Sequence, residues 1–408
     1  MATYSKLGAV SYETESSWGE NVATYGTRLA VLAAVDLSGF KQDKIVPDRV
    51  VQYRNDDTAH IIGPMDGTFK VKLFLAGHGA ATSGATAMTA LGTLLANVFG
   101  AGAVSAASGT TTSGGTAAVP TTVASGTFSA GSLCRIGTGG IASDARGAGQ
   151  FLAIGTHVTT TLTLLTAAPG APNAADVLHS AETIYADDSA AVTSSRWRIQ
   201  SAGLQIEAHG CFPTDVTIGD ITPGAVPFVE VTFRASWWKF VAATFPSATS
   251  VDAFNPAPVG AGSLFMAVKG TATRATRTIR DISINYKLGI APQMGVNGVN
   301  EYQTICGAIR TGDDIRVNIT EDADAATTTP VLAGFWDGTS EYHMLYTLNP
   351  TAGQAVGMYF PAMRVVGSRP TQMDKDGVNS VSVELKANTN IATATNALTL
   401  SAFRLGLA

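Results

Sequence analysis

Residues 203–235 recur near the C-terminus as residues 353–387, and this recurrence divides the chain into two similar halves. In the first copy Val229, Val231, Phe233 and Ala235 alternate with Glu230, Thr232 and Arg234. That is the period-two pattern of a strand with one dry and one wet face. The second copy repeats it, with Val381, Val383, Leu385 and Ala387 alternating with Ser382, Glu384 and Lys386. Each copy opens upstream on an aromatic-proline pair, Phe212-Pro213 and Phe360-Pro361. Full burial of one such apolar side chain is worth about 1.5–3 kcal/mol, so four on one face demand a packing partner. The two strands are predicted to be core strands, one per domain.

A chain of 408 residues exceeds one ordinary core, and two or three domains are expected. Charged residues make up only 14 %, against roughly 25 % in an average soluble domain. Much of the surface is therefore Thr, Ser, Ala and Gly, a composition that suits strands and turns. A formal charge of −5 with no basic tract argues against a nucleic-acid groove, which needs clustered Lys and Arg. Residues 1–10 carry one Lys and no apolar core, so no secretory signal is expected. No apolar run approaches the roughly 18 residues of a membrane span, and maturation in a cytoplasm is expected. Cys134, Cys211 and Cys306 are odd in number and far apart, which predicts buried thiols rather than a disulfide framework or metal knuckle.

In chain order, residues 11–30 read as a polar arm punctuated by Trp18-Gly19 and Tyr25-Gly26. Its aromatics either dock a partner or pack on the arm's own domain. A strand is predicted over 29–37. Residues 41–64, dense in charge, read as a long loop or protruding hairpin, a kind of segment that tends to be functional. Residues 67–75 form a strand with Phe69, Val71, Leu73 and Leu75 inward. Residues 86–99 are the best helix, with Met88, Leu91, Leu94, Leu95 and Val98 on one stripe and Gly100 at the C-cap. Residues 101–122 have a linker's composition, and 127–186 hold enough short strands for a small barrel.

Further pairs align in order: Asp36-Leu37-Ser38 with Asp281-Ile282-Ser283, and 69–73 with 315–319. The spacing is about 246 residues early and about 150 late, so the first half holds about 95 extra residues, matching the linker and barrel. Residues 331–336 are the candidate replacement for the helix in the second half.

No catalytic pattern emerges. The six histidines, His60, His78, His157, His179, His209 and His343, form no metal-ligand spacing. Gly137-Thr138-Gly139-Gly140 lacks the Lys and helix of a phosphate loop and reads as a turn. Glu321, Asp322 and Asp324 lack a calcium-loop pattern and read as a solvated turn. No enzyme, cofactor or metal is expected.

The order of elements resembles the tail tube proteins of long-tailed bacteriophages: arm, long loop, the strand GTFKVKLFL, a helix ending LLANVFG, then a late strand pair. Glu15–Gly19, ESSWG, is similar to the E-T-T-Y-G near the start of that family, and 66–101 to its strand-then-helix segment. The segment containing GSLCRIG, FLAIG and LTLLTAAPGAPNAADVL is similar to a β-module found inside larger members. The resemblance implies a mainly β fold of two sandwich or barrel domains, each with a flanking helix, plus the inserted barrel. The divisions are 1–103 with 188–250, 104–187, and 251–408. It further implies six domains per ring, hence a trimer with pseudo-sixfold symmetry, and rings stacked into a hollow tube in the virion, assembled in a bacterial cytoplasm. The implied partners are other copies of the chain, tail tip and terminator proteins, a tape measure protein in the lumen, and DNA in passage.

Within that picture Tyr12, Trp18 and Tyr25 of the arm, with Lys44, Asp48 and Arg49 of the loop, are the candidate ring-to-ring contacts. A heterologous contact of this kind propagates without closing. Glu230, Thr232, Arg234, Ser382, Glu384 and Lys386 are lumen candidates, whose net negative charge is expected to keep DNA from sticking. Two other readings stand beside this one. A capsid or capsid-decorating subunit is weakened by the lack of a long amphipathic spine helix. A glycan-binding β-module would use Trp237-Trp238 as an exposed platform, unless that pair ends a strand in the core.

Overall fold

The computed structural model describes residues 8–45, 61–77, 88–104, 108–112, 121–137, 149–165, 177–251, 259–295, 303–323 and 338–408, apart from gaps of six residues or fewer inside these spans. The fold is mainly β. The first strands are β1 (Gly8–Thr14), β2 (Thr27–Leu29), β3 (Phe40–Ile45) and β4 (Ile61–Phe74), followed by helix α1 (Ala90–Phe99) and β5 (Gly100–Ala103). Then come β6 (Ser108–Thr112), β7 (Thr121–Ser125), β8 (Leu133–Ile136), β9 (Phe151–Val158), β10 (Thr161–Leu164) and β11 (Val177–Ser180). The chain returns through β12 (Glu182–Ala186), β13 (Ser195–Ser201), β14 (Leu204–Ile221), β15 (Phe228–Ala235), β16 (Trp237–Phe240) and β17 (Ser250–Val251). The remainder is β18 (Ser263–Val268), β19 (Thr276–Arg277), β20 (Ile279–Lys287), β21 (Ile290–Met294), β22 (Ile305–Arg310), β23 (Asp314–Asp322), β24 (Tyr342–Leu348), β25 (Val356–Lys375), β26 (Val378–Ala387), the short helix α2 (Ala397–Leu400) and β27 (Arg404–Leu407).

The repeat governs the topology. One sheet runs β3–β4–β15–β14–β20–β23–β26–β25, every neighbour antiparallel. It is two four-strand units in tandem, β3–β4–β15–β14 and β20–β23–β26–β25, joined where β14 meets β20. The alternating strands noted in the sequence take the same place: β15 lies between β4 and β14, and β26 between β23 and β25. A second layer repeats as well. The first half of β14 pairs with β13 and β16, β13 with β1, and β1 with β2. The first half of β25 pairs with β24 and β27, β24 with β18, and β18 with β19. Each long strand thus belongs to both layers, as strands that turn sandwich corners do.

Two alignments shift in register. Phe69 lies opposite Phe233, and the counterpart of Phe233, Leu385, lies opposite Val317, so Phe69 corresponds to Val317 rather than Ile315. Phe212 lies opposite Arg234 and Arg364 opposite Lys386, so Phe360-Pro361 stands four residues before the place of Phe212-Pro213. Apolar alternation alone is satisfied by any even slip, because period two returns the same face.

The buried side chains of both halves form one continuous core, including Phe69, Val231, Phe233, Trp197, Tyr286, Val317, Leu385 and Phe403. The halves therefore share a core instead of each enclosing its own. Helix α1 starts at Ala90 behind the N-cap Thr89, whose hydroxyl accepts from Gly92 N, and ends at Gly100 with φ 116°. Its Phe99 stacks on Tyr286 of β20 at 4.9 Å and meets Phe403 edge-on, so the helix lies over the joint between the units. Residues 331–336, the candidate second helix, lie outside the described residues, as do 86 and 87.

The inserted module is a closed six-stranded barrel in the order β10–β7–β6–β11–β8–β9, around Phe128, Cys134, Ile136, Leu152, Ile154, Leu162 and Leu178. Its edges differ from the sequence reading. Part of the stretch read as linker is strand, β5, β6 and β7, because threonine and small residues fit a pleated surface as readily as a flexible tether. Residues 182–186, assigned to the insert, are β12 and pair with β5 and β27 of the main body. Buried Glu182 explains that placement, since its carboxylate accepts from Thr89 N and Oγ1 at the positive end of α1. The barrel seats on the body through Phe151, whose ring lies against Gly357 and Gly406, and whose N–H donates to Thr347 Oγ1 at 3.1 Å. A Cβ on residue 357 would stand 2.4 Å from that ring. Phe151→Ala is expected to cost about 3–5 kcal/mol in urea unfolding, and Gly357→Ala to destabilise too. The double variant should lose less than the sum, since removing the ring removes the clash; additive losses would show that the barrel does not seat there.

Candidate assembly surface

The sequence pointed to an arm, a loop and a sheet face as contact surfaces, and the structure separates them. The arm packs on its own chain. Tyr12 is 3 % exposed, stacks on Trp197 at 5.2 Å and donates to Ala90 O. Tyr25 is buried beneath Arg198. Trp18 is half-buried against Phe212, its Nε1 lying 3.0 Å from Ser236 Oγ and 3.2 Å from Ile305 O. The expectation of ring-to-ring contacts is corrected for Tyr12 and Tyr25, whose rings are buried in their own chain, whereas Trp18 stays part-exposed.

ESSWG is the reason. Glu15 is buried; its Oε2 accepts from Gly19 N at 2.9 Å and Ser194 Oγ at 2.6 Å, and its Oε1 from Gly210 N at 2.9 Å. Burial pushes this carboxyl up in spite of those bonds. Gly19 (φ 70°) and Gly210 (φ 59°) hold left-handed conformations that let the two backbones approach. The turn thereby fastens β14 where it passes between layers, and Trp237 Nε1 donates to Gly19 O. Both Trp237 and Trp238 are buried, at 2 % and 6 % exposure, so no aromatic platform exists there.

Beside the turn is a buried ion network. Arg196 pairs with Glu13 at 2.9 Å and Glu20 at 2.7 Å, and Arg198 with Glu207 at 2.9 Å. Lys239 reaches Glu207 at 3.1 Å, and His209 stacks on Trp237 at 4.0 Å. Burial alone would raise the Glu207 carboxyl, but the facing His209, Lys239 and Arg198 outweigh it and hold it at about 2. A carboxyl whose folded value lies below its ordinary 4.5 contributes stability above about pH 4.5 that is lost as the pH falls towards 2. Glu207→Gln is therefore expected to cost about 3–5 kcal/mol near neutrality, by stranding a buried arginine. The gap between parent and variant in denaturant titrations should close over that acid window, and a pH-independent gap would contradict the assignment.

The charged loop is partly visible. Residues 41–45 and 61–66 are the arms of a β3–β4 hairpin, as read, and Lys44 is exposed on it. Asp48 and Arg49 lie outside the described residues. The wet face of the eight-strand sheet carries Glu230, Thr232 and Arg234 on β15 and Ser382, Glu384 and Lys386 on β26, all part-exposed. Their charges are paired: Lys70–Glu230 at 3.1 Å, Arg234–Asp66 at 3.1 Å, Arg316–Glu384 at 2.8 Å and Lys386–Asp314 at 3.1 Å. Two glutamates, one arginine and one lysine sum to zero, so the expected net negative charge of these six positions is corrected to neutrality.

The sheet's two ends went unnoticed in the sequence. Among the described residues β3 has β4 as its only strand neighbour, and β25 beyond Met363 has only β26. Eight strands joined by seven antiparallel steps leave the end strands antiparallel to each other, the same relation that β14 has to β20. The signal was the repeat itself, since a tandem joined edge to edge leaves one edge of each kind open.

Among the described residues no group of three His, Cys, Asp or Glu side chains could hold a metal ion, and no helix is long and apolar enough to cross a membrane. Glu321 is buried and Asp322 is held by Arg280 at 2.7 Å, while Asp324, Gly139, His60 and His78 lie outside the described residues. Cys134 and Cys211 are buried and Cys306 half-buried. No protein-family model matches the chain, and no curated protein does.

Proposed function

We propose that the chain is a self-assembling structural subunit of a phage tail tube, closing edge to edge into rings that stack into a hollow conduit for DNA. The observation that carries this reading is the tandem sheet: two equivalent units already joined by a heterologous β14–β20 contact, with a complementary pair of edges open among the described residues. A contact that joins unit to unit inside one chain can join chain to chain by the same rule, and heterologous contacts close into rings when the rotation permits. Six units, the number the resemblance implies, are three chains. The neutral, ion-paired sheet face then lines the lumen, where fixed pairs offer a passing polyanion no net cationic surface to bind. Tail tip, terminator and tape measure proteins are the partners this role requires. The buried Trp237-Trp238 pair removes the feature that favoured glycan binding.

Open strand edges are normally blunted against association, so the edges are the place to test the role. Purified chain is expected to form rings or tubes by negative-stain microscopy and to sediment as a trimer or larger. Proline at one of two adjacent edge positions must delete an outward N–H, because alternate residues point their donors outward. Of Val365→Pro and Val366→Pro, at least one is expected to keep the parent's circular dichroism and remain a single chain. A parent that never assembles, or two folded variants that both assemble, would overturn the reading.

A further inference from the structure

We propose that residues 33–39 are an assembly-dependent strand: irregular in the single chain, they are drawn into a ladder by the β25 edge of a second copy, with Lys41 opposite Val366. This rests on the ring reading above. The repeat supplies the template. Val31 bridges to Leu73 as Ile279 pairs with Glu321, and Lys41 pairs with Asp66 as Lys287 pairs with Asp314. Between those fixed points β20 is continuous strand, flanked by β23 on one side and β14 on the other. The first unit has β4 on one side, and among the described residues no strand on the other. There, residues 33–39 make no strand.

The side chains are already sorted. Val35 is buried and Leu37 packs on the core, while Asp36 and Ser38 are exposed, the same alternation as Ile282 and Ile284 against Ser283 and Asn285. Straightening the segment moves no side chain to the wrong face. A local turn stands in the ladder's place: Asp36 Oδ1 accepts from Ser38 N at 2.9 Å, and Asp36 Oδ2 from Ser38 Oγ at 2.8 Å. Such side-chain-to-backbone bonds compete with strand pairing and yield when a full ladder is offered. The segment also holds two residues more than its counterpart, nine steps from Val31 to Phe40 against seven from Ile279 to Tyr286, and two one-residue bulges, one before Val35 and one after Leu37, absorb them.

The register follows from the same correspondence. Asp215 lies opposite both Thr232 and Lys287. The counterpart of Thr232 is Glu384, and opposite Glu384 is Val366. Val366 therefore takes the place of Asp215, as Lys41 takes that of Lys287. One step on, Leu288 N donates to Thr214 O at 3.3 Å; Thr214 is the extra residue of a register shift that β25 lacks between Val365 and Val366, so the residue next to Val366 that faces Gln42 is Val365. An edge that stays irregular until the right partner arrives resists pairing with wrong strands, the hazard of any exposed edge.

Two measurements on the full chain test this. Hydrogen exchange of the unaltered protein is expected to slow at least tenfold over residues 33–39 in assembled relative to single-chain fractions. In a Cys306→Ser background, Lys41→Cys with Val366→Cys, and Gln42→Cys with Val365→Cys, place paired Cα atoms at antiparallel spacings of about 4.5–5.5 Å, within disulfide reach. On oxidation at least one pair is expected to give chain-to-chain cross-links on non-reducing gels that the single-cysteine controls lack. Rings with neither cross-link would overturn the register while leaving the ring reading standing. Cross-links without slowed exchange would overturn the ordering of 33–39. A chain that stays single under all conditions would overturn this inference and the ring reading together.

Discussion

Every backbone N–H and C=O in a sheet needs a partner, and the joint between β14 and β20 is where this chain meets that demand for two units at once. The pairings Asp215 with Lys287, Val216 with Tyr286 and Ile218 with Ile284 satisfy the far edge of the first unit and the near edge of the second. They set the apolar side of both units on one face, so one core serves both halves. Among the described residues, the same joint leaves β3 and the end of β25 as the edges of this sheet. The fold of both units thus draws on a single solution to a single problem.

The joint is more than a ladder. Tyr286 lies beneath Phe99 of α1, and its hydroxyl donates to Asp313. Arg310 of β22 pairs with Asp313 and donates from Nη2 to Val98 O at 2.8 Å, at the unsatisfied C-terminal end of the helix. Trp18, from the ESSWG turn, bonds Ile305 O of the same hairpin. A turn, a helix end and a hairpin therefore clamp the units together on their dry side, and the relative setting of the two units is fixed by buried contacts as well as by strand register.

Much of this was legible in residue order. Alternation located β4, β15, β23 and β26, the α1 stripe and Gly100 located the helix, and the short strand runs of 127–186 located the barrel. Register was not legible, because Phe69 fits opposite several apolar partners and only the ladder selects Phe233. The arm was misjudged for a definite reason. Tyr12, Trp18 and Tyr25 sit among polar residues in sequence, and their intrachain partners, Trp197, Phe212 and Arg198, lie far along the chain. The linker composition of 101–122 misled because Thr, Ser and Ala serve a strand or a tether alike. The pairing of the sheet-face charges required knowing which are neighbours, as Arg316 is to both Asp314 and Glu384.

The two units diverge in how the second layer is covered. Leu345 lies opposite Tyr359 on β24 and β25, and the matching positions of the first unit are Arg198 opposite Glu207. Arg404 beside Tyr359 matches Lys239 beside Glu207. In the second unit this surface is apolar: Leu345 and Tyr359 cluster with Phe151 and Leu133 of the barrel, and Arg404 donates to Gly131 O at 3.0 Å. In the first unit the same positions are ionic, and the arm with Tyr25 and Glu20 covers them. An uncovered Leu–Tyr pair would cost apolar exposure, and an uncompensated Arg–Glu pair under a barrel would cost desolvation. Each half therefore carries the chemistry its own cover requires. The second layer diverges with its cover, whereas β14 and β25, β4 and β23, and β15 and β26 keep the alternation that a continuous sheet demands. The barrel seats on β24, β25 and β27, in the second layer, and pairs with no strand of the eight-strand sheet among the described residues, so an insertion that breaks the twofold repeat leaves the tandem sheet intact.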